Sequence, residues 1–479
     1  MQLGIDVLQN QKFSILKDKK VALLTNTSAV DAQGKLVLDI FAESKNVQLK
    51  VVLLPEHNGG FDDKKLEELK KKGISVHCTH TPTGRSPQAE WFKDIDIVVA
   101  DMQDIGMRYY THSSSVLYAM IRALEAGKEF VILDRPNPLG SYIGGPIMDK
   151  KYLCFLGPIP GEPLFHGMTI GELANYVKNC GKNFEVKCNC RMKGCAHAIF
   201  CNATTLKKGK LIVVKVKDWS REKILTETGL YNLDSKISFS PWITNVASIF
   251  DYATLSLSVL LGQGSINFLD THKNPKFPER NFKTFASPYV KSSEILSDLK
   301  KRCSSALTGY TFTSIKVEKI TAEKTEILDG LDLTIKNFSQ TIPALLSLVL
   351  YSQAQEWVPE CDWETFEKAL TSTTPTPKTA TPTDTKSNSS GITQSGTKTP
   401  PATARNLKKL TLAQQKSLRK AKWDRLTKLQ RELIQKHIGD DEFVNKLFNG
   451  ESINVKHFRS KWKRSATSFR KKTKKYYIY

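Results

Sequence analysis

The sequence predicts an α/β fold, in which a Rossmann-like, mostly parallel sheet is followed by a second, smaller α+β domain. Over the first 140 residues, short runs rich in Val, Ile and Leu alternate with stretches of helical character. The runs are apolar at nearly every position, so each strand is expected to be buried on both faces. A parallel sheet covered by helices on both sides satisfies that requirement.

The predicted elements of this sheet follow each other in a regular order. Strands are expected at residues 21–25, 47–54, 95–101, 130–134 and 211–216. Helices are expected at 62–72 and 113–126, and Gly127 ends the second of these. A further helix begins near Thr169, because Thr169 and Glu172 have the spacing of a capping box.

Composition divides the chain into segments. Residues 1–180 form the Rossmann-like catalytic-type domain, 181–208 a Cys- and Lys-rich insertion, and 209–370 the remainder of the core with the smaller α+β domain. Residues 371–405 are rich in Thr, Pro and Ser, which predicts a disordered linker because such a segment has little apolar surface to bury. Residues 406–479 form a basic helical tail that carries +15 of the total net charge of +23.

Polar residues follow the ends of several predicted strands. In open α/β sheets, ligands bind beyond the carboxyl ends of the strands, so we expect a pocket at this rim. The alternative is that these residues form ordinary polar turns. The residues at the rim are Asn26, Glu56, His57, Asp101, Gln103, Asp104, Asp134, Arg135 and Asn137.

Four short motifs occur in this order along the first half of the chain. They are Leu54–His57, Asp101–Thr111, Leu133–Pro138 and His166–Glu172. Through these motifs, the segment from about residue 3 to residue 365 resembles the NamZ-type exo-β-N-acetylmuramidase family. The second half of this segment diverges from the family, and the basic C-terminal tail is an addition to it. The resemblance implies an active site in the cleft between the two domains. It also implies hydrolysis of terminal N-acetylmuramic acid from the non-reducing ends of peptidoglycan fragments.

The resemblance places the catalytic glutamate at Glu56. Glycoside hydrolysis usually needs two groups, one to protonate the leaving oxygen and one to activate water or attack the sugar. We expect partial desolvation to raise the pKa of Glu56, as a general acid requires. Asp101, Asp104 and Asp134 are candidates for the second group, since all three follow strands.

Other rim residues are candidates for substrate binding. Arg108 and Tyr110 are suited to the carboxyl-bearing lactyl group or the hydroxyls of the sugar, although Arg108 can instead pair with Asp104 and order the loop. Asn137 and His166 are expected to bind sugar hydroxyls or to orient Glu56. The full predicted binding set is Asn26, His57, Gln103, Asp104, Arg108, Tyr110, Asn137 and His166.

The sequence departs from the family pattern at three places. Residues 239–242 lack an Asn, residues 261–270 lack a Glu and an Arg, and Asn58 stands where Gly is usual. Loss of charged groups from one wall of the pocket would weaken binding or change its specificity. A catalytically inactive muramyl-sugar binding protein is therefore the alternative function.

No cofactor or metal is expected. No Gly-x-Gly-x-x-Gly follows the first strand, and no Walker A motif is present. The cluster of Cys188, Cys190, Cys195, His197 and Cys201 fits the spacing of a structural zinc site poorly, so we expect reduced thiols. The first residues do not resemble a signal peptide, and the longest apolar run is too short to span a bilayer. A cytoplasmic location without a membrane span is the expectation.

The basic tail offers a second possible binding surface. Its Lys and Arg residues are interleaved with aromatic side chains, including Phe458, Trp462 and Phe469. Lysine and arginine neutralise phosphates while aromatic rings stack on bases, so nucleic acid is one candidate partner and an acidic protein is another. The alternative is a solvated basic helix pair that packs on its own aromatic residues.

Overall fold

The computed structural model describes most of the chain. The described residues are 1–81, 84–187, 198–231, 239, 243–262, 282–287, 291–304, 307–320, 325–341, 343–357, 417, 424, 428–449, 451 and 453–479. The predicted linker at 371–405 lies outside this set, as do Cys188, Cys190, Cys195 and His197 of the insertion.

The strands and helices are numbered here in chain order within the described residues. The strands are β1 (Lys20–Thr25), β2 (Gln48–Leu54), β3 (Ser75–Cys78), β4 (Ile97–Asp101), β5 (Glu129–Leu133), β6 (Ile143–Ile147), β7 (Pro163–His166), β8 (Phe184–Val186), β9 (Ile199–Cys201), β10 (Leu211–Val214), β11 (Thr284–Ser287), β12 (Tyr310–Ile320) and β13 (Thr325–Ile335). The helices are α1 (Gly4–Asn10), α2 (Val37–Glu43), α3 (Asp63–Lys71), α4 (His112–Glu125), α5 (Ile170–Asn179), α6 (Ala203–Lys208), α7 (Val246–Gly262), α8 (Ser292–Cys303), α9 (Pro343–Trp357), α10 (Lys428–Ile438), α11 (Asp441–Phe448) and α12 (Val455–Thr473).

The main sheet has six strands in the order β10-β5-β4-β1-β2-β3, and every neighbouring pair is parallel. The predicted Rossmann-like α/β fold is therefore confirmed. All of the predicted strands are present, and β3 is an addition. Its sequence, Ser-Val-His-Cys, is short and half polar, so it lacks the apolar run by which the other strands are recognised.

Helices cover both faces of this sheet. One face packs against α1, α2 and α3, and the other against α4, α5 and α6. Because α4 lies in the second of these cores, nearly its entire length is buried. The predicted capping box at the start of α5 is present: the Thr169 hydroxyl accepts from the Glu172 amide, and the Glu172 carboxylate accepts from the Thr169 amide.

The second half builds a separate core. An antiparallel sheet in the order β11-β13-β12 packs with α7, α8 and α9, which gives the predicted smaller α+β unit. Helices α7 and α9 pack closely along each other at its centre. Tyr109 and Tyr110, which precede α4, lie in this same core and so connect it to the main sheet.

The basic tail is part of this second core. Its buried side chains there are Ile434, Ile438, Phe443, Val444, Leu447, Phe458 and Trp462. Helix α12 also packs on β6 and β7, with Phe469 reaching the core under α4 and α5. The aromatic rings that a nucleic-acid partner would need are thus buried inside the protein. Stacking of these rings on bases finds no support, and the alternative, that the helices pack on their own aromatic residues, describes the tail better.

Among the described residues, no helix is both long and apolar enough to cross a bilayer.

Candidate active site

Glu56 lies at the carboxyl edge of the main sheet, two residues after β2 ends at Leu54. The next four residues all have positive φ: His57 at 56°, Asn58 at 51°, Gly59 at 63° and Gly60 at 82°. Left-handed backbone is costly for most side chains, whereas Gly adopts it freely and Asn tolerates it. Asn58 therefore suits its position although the family usually has Gly there. This turn holds Glu56 at the rim of the sheet.

The turn is fixed by close contact with the end of β1. The amide of Thr27 donates to the carbonyl of Gly59 at 2.9 Å. A Cβ at Gly60 would lie 2.5 Å from the Thr27 hydroxyl, and one at Gly59 would lie 3.2 Å from the Thr25 carbonyl. A Cβ would force Thr27 to move at Gly60 and would be tight at Gly59, and both glycines have positive φ, so the turn that carries Glu56 favours glycine at both positions.

The carboxylate of Glu56 is both held and open to water. The Thr111 hydroxyl donates to Oε1 at 2.9 Å, and Nδ1 of His80 lies 3.6 Å from Oε2. The side chain nevertheless remains 47% exposed. A carboxylate that is oriented by protein groups but still reachable by solvent has the placement that catalysis requires.

The pKa of Glu56 is lowered, which corrects the prediction that it is raised. Desolvation raises the pKa as expected, but the hydrogen bond and charge of His80, the charge of His57 and the hydrogen bond from Thr111 together outweigh it. Groups that donate to an ionised carboxylate, or carry positive charge beside it, favour the ionised form. Glu56 is therefore a carboxylate at neutral pH.

His80 is a site residue that sequence reasoning missed. It follows β3, and its ring is 8% exposed and packs edge-on against Phe155 with a centroid distance of 5.0 Å. Its Nε2 has no hydrogen-bond partner among the described residues. If β3 is recognised as a strand, His80 can be predicted as a site residue, because it then lies at the same rim as the other polar strand ends.

Asn26 and Gln103 are joined through His112 in a buried network. Nδ1 of His112 donates to the Gln103 carbonyl at 2.9 Å, which leaves Nε2 to accept from the Asn26 amide at 3.0 Å. Burial lowers the pKa of His112, in agreement with a neutral ring. Ser28 closes the network, since its hydroxyl donates to Asn26 and accepts from the Gln103 amide. Asn26 and Gln103 thus support the rim, and direct contact of either with a sugar stays a prediction.

Asp101 and Asp134 have internal partners rather than a place beside Glu56. Asp101 is fully buried and ion-paired with Arg135. Asp134 accepts hydrogen bonds from the Thr169 hydroxyl at 2.7 Å, the Gly171 amide at 3.0 Å and the Tyr479 hydroxyl at 2.9 Å. Burial raises the pKa of Asp134 to about 6 despite these donors. Both contact sets are those of structural carboxylates, so a second catalytic role for either has no geometric support.

Asp104, Asn137 and His166 form another buried group next to the rim. His166 Nε2 lies 3.3 Å from Asp104 Oδ2, and its Nδ1 accepts from the Met168 amide at 3.2 Å. Burial opposes a charge on His166, but Asp104 and Glu162 outweigh it and raise the pKa of the ring. Asn137 bridges the Met168 carbonyl and the Leu139 amide. These residues order the loops after β4, β5 and β7, and contact with sugar hydroxyls stays a prediction.

Arg108 is buried beneath the basic tail. One of its terminal nitrogens donates to the carbonyls of His437 and Ile438, at 3.0 and 3.2 Å, where α10 ends. The side chain is 1% exposed, and burial lowers its pKa. Among the described residues Arg108 makes no ion pair with Asp104, and its burial does not favour the predicted contact with a lactyl group. The guanidinium instead satisfies the end of a tail helix, where backbone carbonyls lack helical partners.

Aromatic residues from both halves meet near Glu56. The Tyr110 ring lies 4.5 Å from His112 and 5.7 Å from Tyr252 of α7, and its hydroxyl donates to the Phe239 carbonyl at 2.9 Å. Burial raises the pKa of Tyr252 well above its usual value, and the nearby Tyr109, Tyr110 and Glu56 add to the increase. Helix α7 of the second core therefore packs on Tyr110, the residue before Thr111, whose hydroxyl donates to Glu56.

Across the described part of the chain, no group of three or more His, Cys, Asp or Glu residues is arranged to hold a metal ion. Cys201, the described member of the insertion cluster, is buried in β9 as a free thiol.

Comparison with known proteins shows the family of this chain. A family model described as the N-terminal part of the exo-β-N-acetylmuramidase NamZ matches residues 21–246. The peptidoglycan β-N-acetylmuramidase NamZ of Bacillus subtilis (strain 168) is 32% identical over 322 residues, which cover 65% of this chain and 67% of that protein. The chain belongs to the NamZ family. The motif with Glu56, the rim residues and α4 all lie within the matched region.

Two solved structures extend the likeness to the whole fold. A DUF1343 family protein of Bacteroides fragilis has a TM-score of 0.70 at 25% identity, covering 100% of this chain and 98% of its own. A second protein of the same family and organism has a TM-score of 0.53 at 20% identity, with the same coverage. The similarity in fold therefore extends beyond the matched N-terminal region and includes the tail. Of the departures from the family pattern, residues 239–242 and 261–270 lie mostly outside the described residues.

Proposed function

We propose that the protein is an exo-acting β-N-acetylmuramidase, which releases terminal N-acetylmuramic acid from peptidoglycan fragments with Glu56 as a catalytic carboxylate. Membership of the NamZ family supports glycoside hydrolysis of this type. The observation that carries the assignment of Glu56 is its position: a half-exposed carboxylate at the carboxyl edge of a parallel sheet, held by Thr111 and His80.

The lowered pKa of Glu56 favours one of the two roles in glycoside hydrolysis. One group must give a proton to the leaving oxygen, and another must remove a proton from water or attack the anomeric carbon. Because Glu56 is ionised in the free protein, it is suited to begin the reaction as the base or nucleophile. Because the hydroxyl of Thr111 occupies only one lone pair of Oε1, both carboxylate oxygens of Glu56 keep lone pairs for proton removal or nucleophilic attack.

The test is turnover of para-nitrophenyl N-acetylmuramide by the wild type and by Glu56→Gln. Glutamine has the same shape and can still accept from Thr111, but it cannot act as a base. We expect kcat to fall ~10²–10⁴-fold, the contribution usual for a positioned acid or base. Glu67→Gln removes the same charge from an exposed site on α3 and should leave kcat unchanged.

The same assay separates the alternative of a muramyl-sugar binding protein. Saturable binding of N-acetylmuramic acid with no turnover of any muramide by the wild type would favour binding alone. Full activity in Glu56→Gln would instead remove Glu56 from the mechanism. The cytoplasmic location expected from the sequence stays a prediction, and cell fractionation with an antibody to the protein tests it.

A further inference from the structure

We infer that Arg85 is the residue that recognises the negatively charged lactyl group of the substrate, an inference that rests on the proposed function. N-acetylmuramic acid differs from N-acetylglucosamine by this ether-linked lactic acid on the sugar ring. An enzyme specific for the first sugar therefore needs a group that binds the lactyl carboxylate. Arginine is well suited, because its planar guanidinium can donate two parallel hydrogen bonds to a carboxylate.

Arg85 follows His80 by five residues in the loop after β3, and Nδ1 of His80 lies 3.6 Å from Oε2 of Glu56. Desolvation lowers the pKa of Arg85, and the charge of Glu56 acts in the opposite direction. A substrate whose anomeric carbon is at Glu56 would therefore place its ring substituents within reach of this loop.

The loop holds the guanidinium without neutralising it. One terminal nitrogen donates to the backbone carbonyls of Thr81 and Gly84, at 2.5 and 3.0 Å. The other terminal nitrogen and Nε have no hydrogen-bond partner among the described residues. Arg85 also forms no ion pair with any described residue. An oriented, partly desolvated cation with free donors is what an anionic ligand group requires.

The other arginines around the main sheet already have partners. Arg135 pairs with Asp101, Arg122 with Glu125 and Arg221 with Glu172. Arg108, which the sequence suggested for this role, donates to two tail carbonyls through one terminal nitrogen, and its other two nitrogens have no partner among the described residues. At 1% exposed, it is closed off from an external anion. In the described part of the chain, Arg85 is thus the arginine near Glu56 that remains available to an anion.

The test compares substrates that differ only in the lactyl group. These are para-nitrophenyl N-acetylmuramide, its lactyl amide and para-nitrophenyl N-acetylglucosaminide. For Arg85→Gln we expect KM for the muramide to rise ~10–100-fold, the loss typical of a hydrogen bond to a charged group. The kcat should change less than ~3-fold, and the two uncharged substrates should be turned over as by the wild type. Arg85→Lys should recover part of the loss, since it keeps the charge but not the fork.

Controls separate recognition from folding. Arg302→Gln removes the same charge from exposed α8 and should change no kinetic constant. An equal loss on all three substrates by Arg85→Gln, or a kcat effect without a KM effect, would show a merely structural loop residue and overturn the inference.

A binding experiment keeps the inference separate from the proposed function. If the wild type turns over none of the substrates, hydrolysis fails, yet calorimetry with free N-acetylmuramic acid and N-acetylglucosamine still tests Arg85. Weaker binding of the first sugar alone by Arg85→Gln supports the inference. Unchanged binding of both sugars, or no binding of N-acetylmuramic acid by the wild type, contradicts it.

Discussion

Opposing effects act on a single carboxyl group at Glu56. Partial desolvation beside the sheet disfavours its charge, while His80, His57 and Thr111 favour it, and the favourable contacts prevail. Glycosidases commonly use a carboxylic acid whose pKa is raised by burial. Whether burial raises the pKa depends on which groups donate hydrogen bonds to the carboxylate. Neighbouring side chains therefore decide whether the pKa of Glu56 is raised or lowered. Two of these neighbours, His80 and Thr111, come from separate parts of the chain.

Removal of one donor should shift the pH profile in a known direction. In Thr111→Val the hydrogen bond to Oε1 is lost, so the ionised form of Glu56 is less favoured and its pKa rises. If the reaction needs ionised Glu56, the variant loses activity on acidification at a higher pH than the wild type does. The measurement is the acidic limb of kcat/KM against pH.

Thr111→Ser is the matched control, because it keeps the hydroxyl and should keep the limb of the wild type. An acidic limb that stays in place or moves to lower pH in Thr111→Val would contradict ionised Glu56 as the reacting form.

At the scale of elements, the last residues of the chain hold the tail against the main sheet. The Tyr479 hydroxyl donates to Asp134, at the end of β5, and accepts from the Val216 amide at 2.9 Å. The Ile478 amide donates to Glu172 of α5 at 2.7 Å, and Arg221 stacks on the ring of Tyr477 at 3.7 Å. The segment after α12 therefore connects a strand end, a helix and a loop of the first domain.

Tyr479→Phe should destabilise the protein although its ring still fits. It leaves the buried Asp134 carboxylate with one donor fewer and the Val216 amide without its acceptor. We expect the free energy of unfolding to fall by ~1–3 kcal/mol, the usual cost of buried polar groups left unsatisfied. Urea denaturation followed by circular dichroism measures the change.

Tyr477→Phe tests whether this effect is specific. Its ring contact with Arg221 is retained, and within the described part of the chain the hydroxyl makes only a long contact of 3.4 Å with Thr473. A loss of at most ~0.5 kcal/mol is expected, as for most surface substitutions. Equal losses in the two variants would mean that the bonds of the Tyr479 hydroxyl do not stabilise the fold.

At the scale of the whole molecule, the tail completes a core that begins in the first half. Ile434, Phe443, Phe458 and Trp462 pack in the cluster that also holds Tyr109 and parts of α7 and α9. The carbonyls at the end of α10 are likewise partners of Arg108. The tail, which follows the long segment between α9 and α10 in the sequence, thus packs against residues of the first half.

A chain of residues 1–370 should therefore fail to form the native structure. Seven buried apolar side chains of the tail would be absent from the second core. At ~1.5–3 kcal/mol for each buried side chain, their loss amounts to ~10–20 kcal/mol, as large as the ~5–15 kcal/mol by which typical domains are stable. We expect loss of the cooperative urea transition and rapid proteolysis. A cooperative transition at the midpoint of the full chain would contradict this.

Sequence reasoning found the rim because its signal is local. Apolar runs mark buried strands, and the residue that follows each run lies at the carboxyl edge of the sheet, so Glu56 was identified from its own neighbourhood. It missed His80, because β3 has only four residues and half of them are polar. It also could not tell lining from support, since Asn26 and Gln103 are as polar as Glu56 but are buried by their contacts with His112.

The sequence by itself determined the parallel sheet, the helices that cover it, the family and the place of Glu56 at the strand ends. Only the tertiary structure decided the ionisation of Glu56, the burial of Arg108 and the place of the tail. The reason is physical: periodicity records which faces are buried, whereas pKa and accessibility depend on groups brought together from distant positions. Arg108 and its partner His437 are separated by 329 residues, and no local pattern contains that contact.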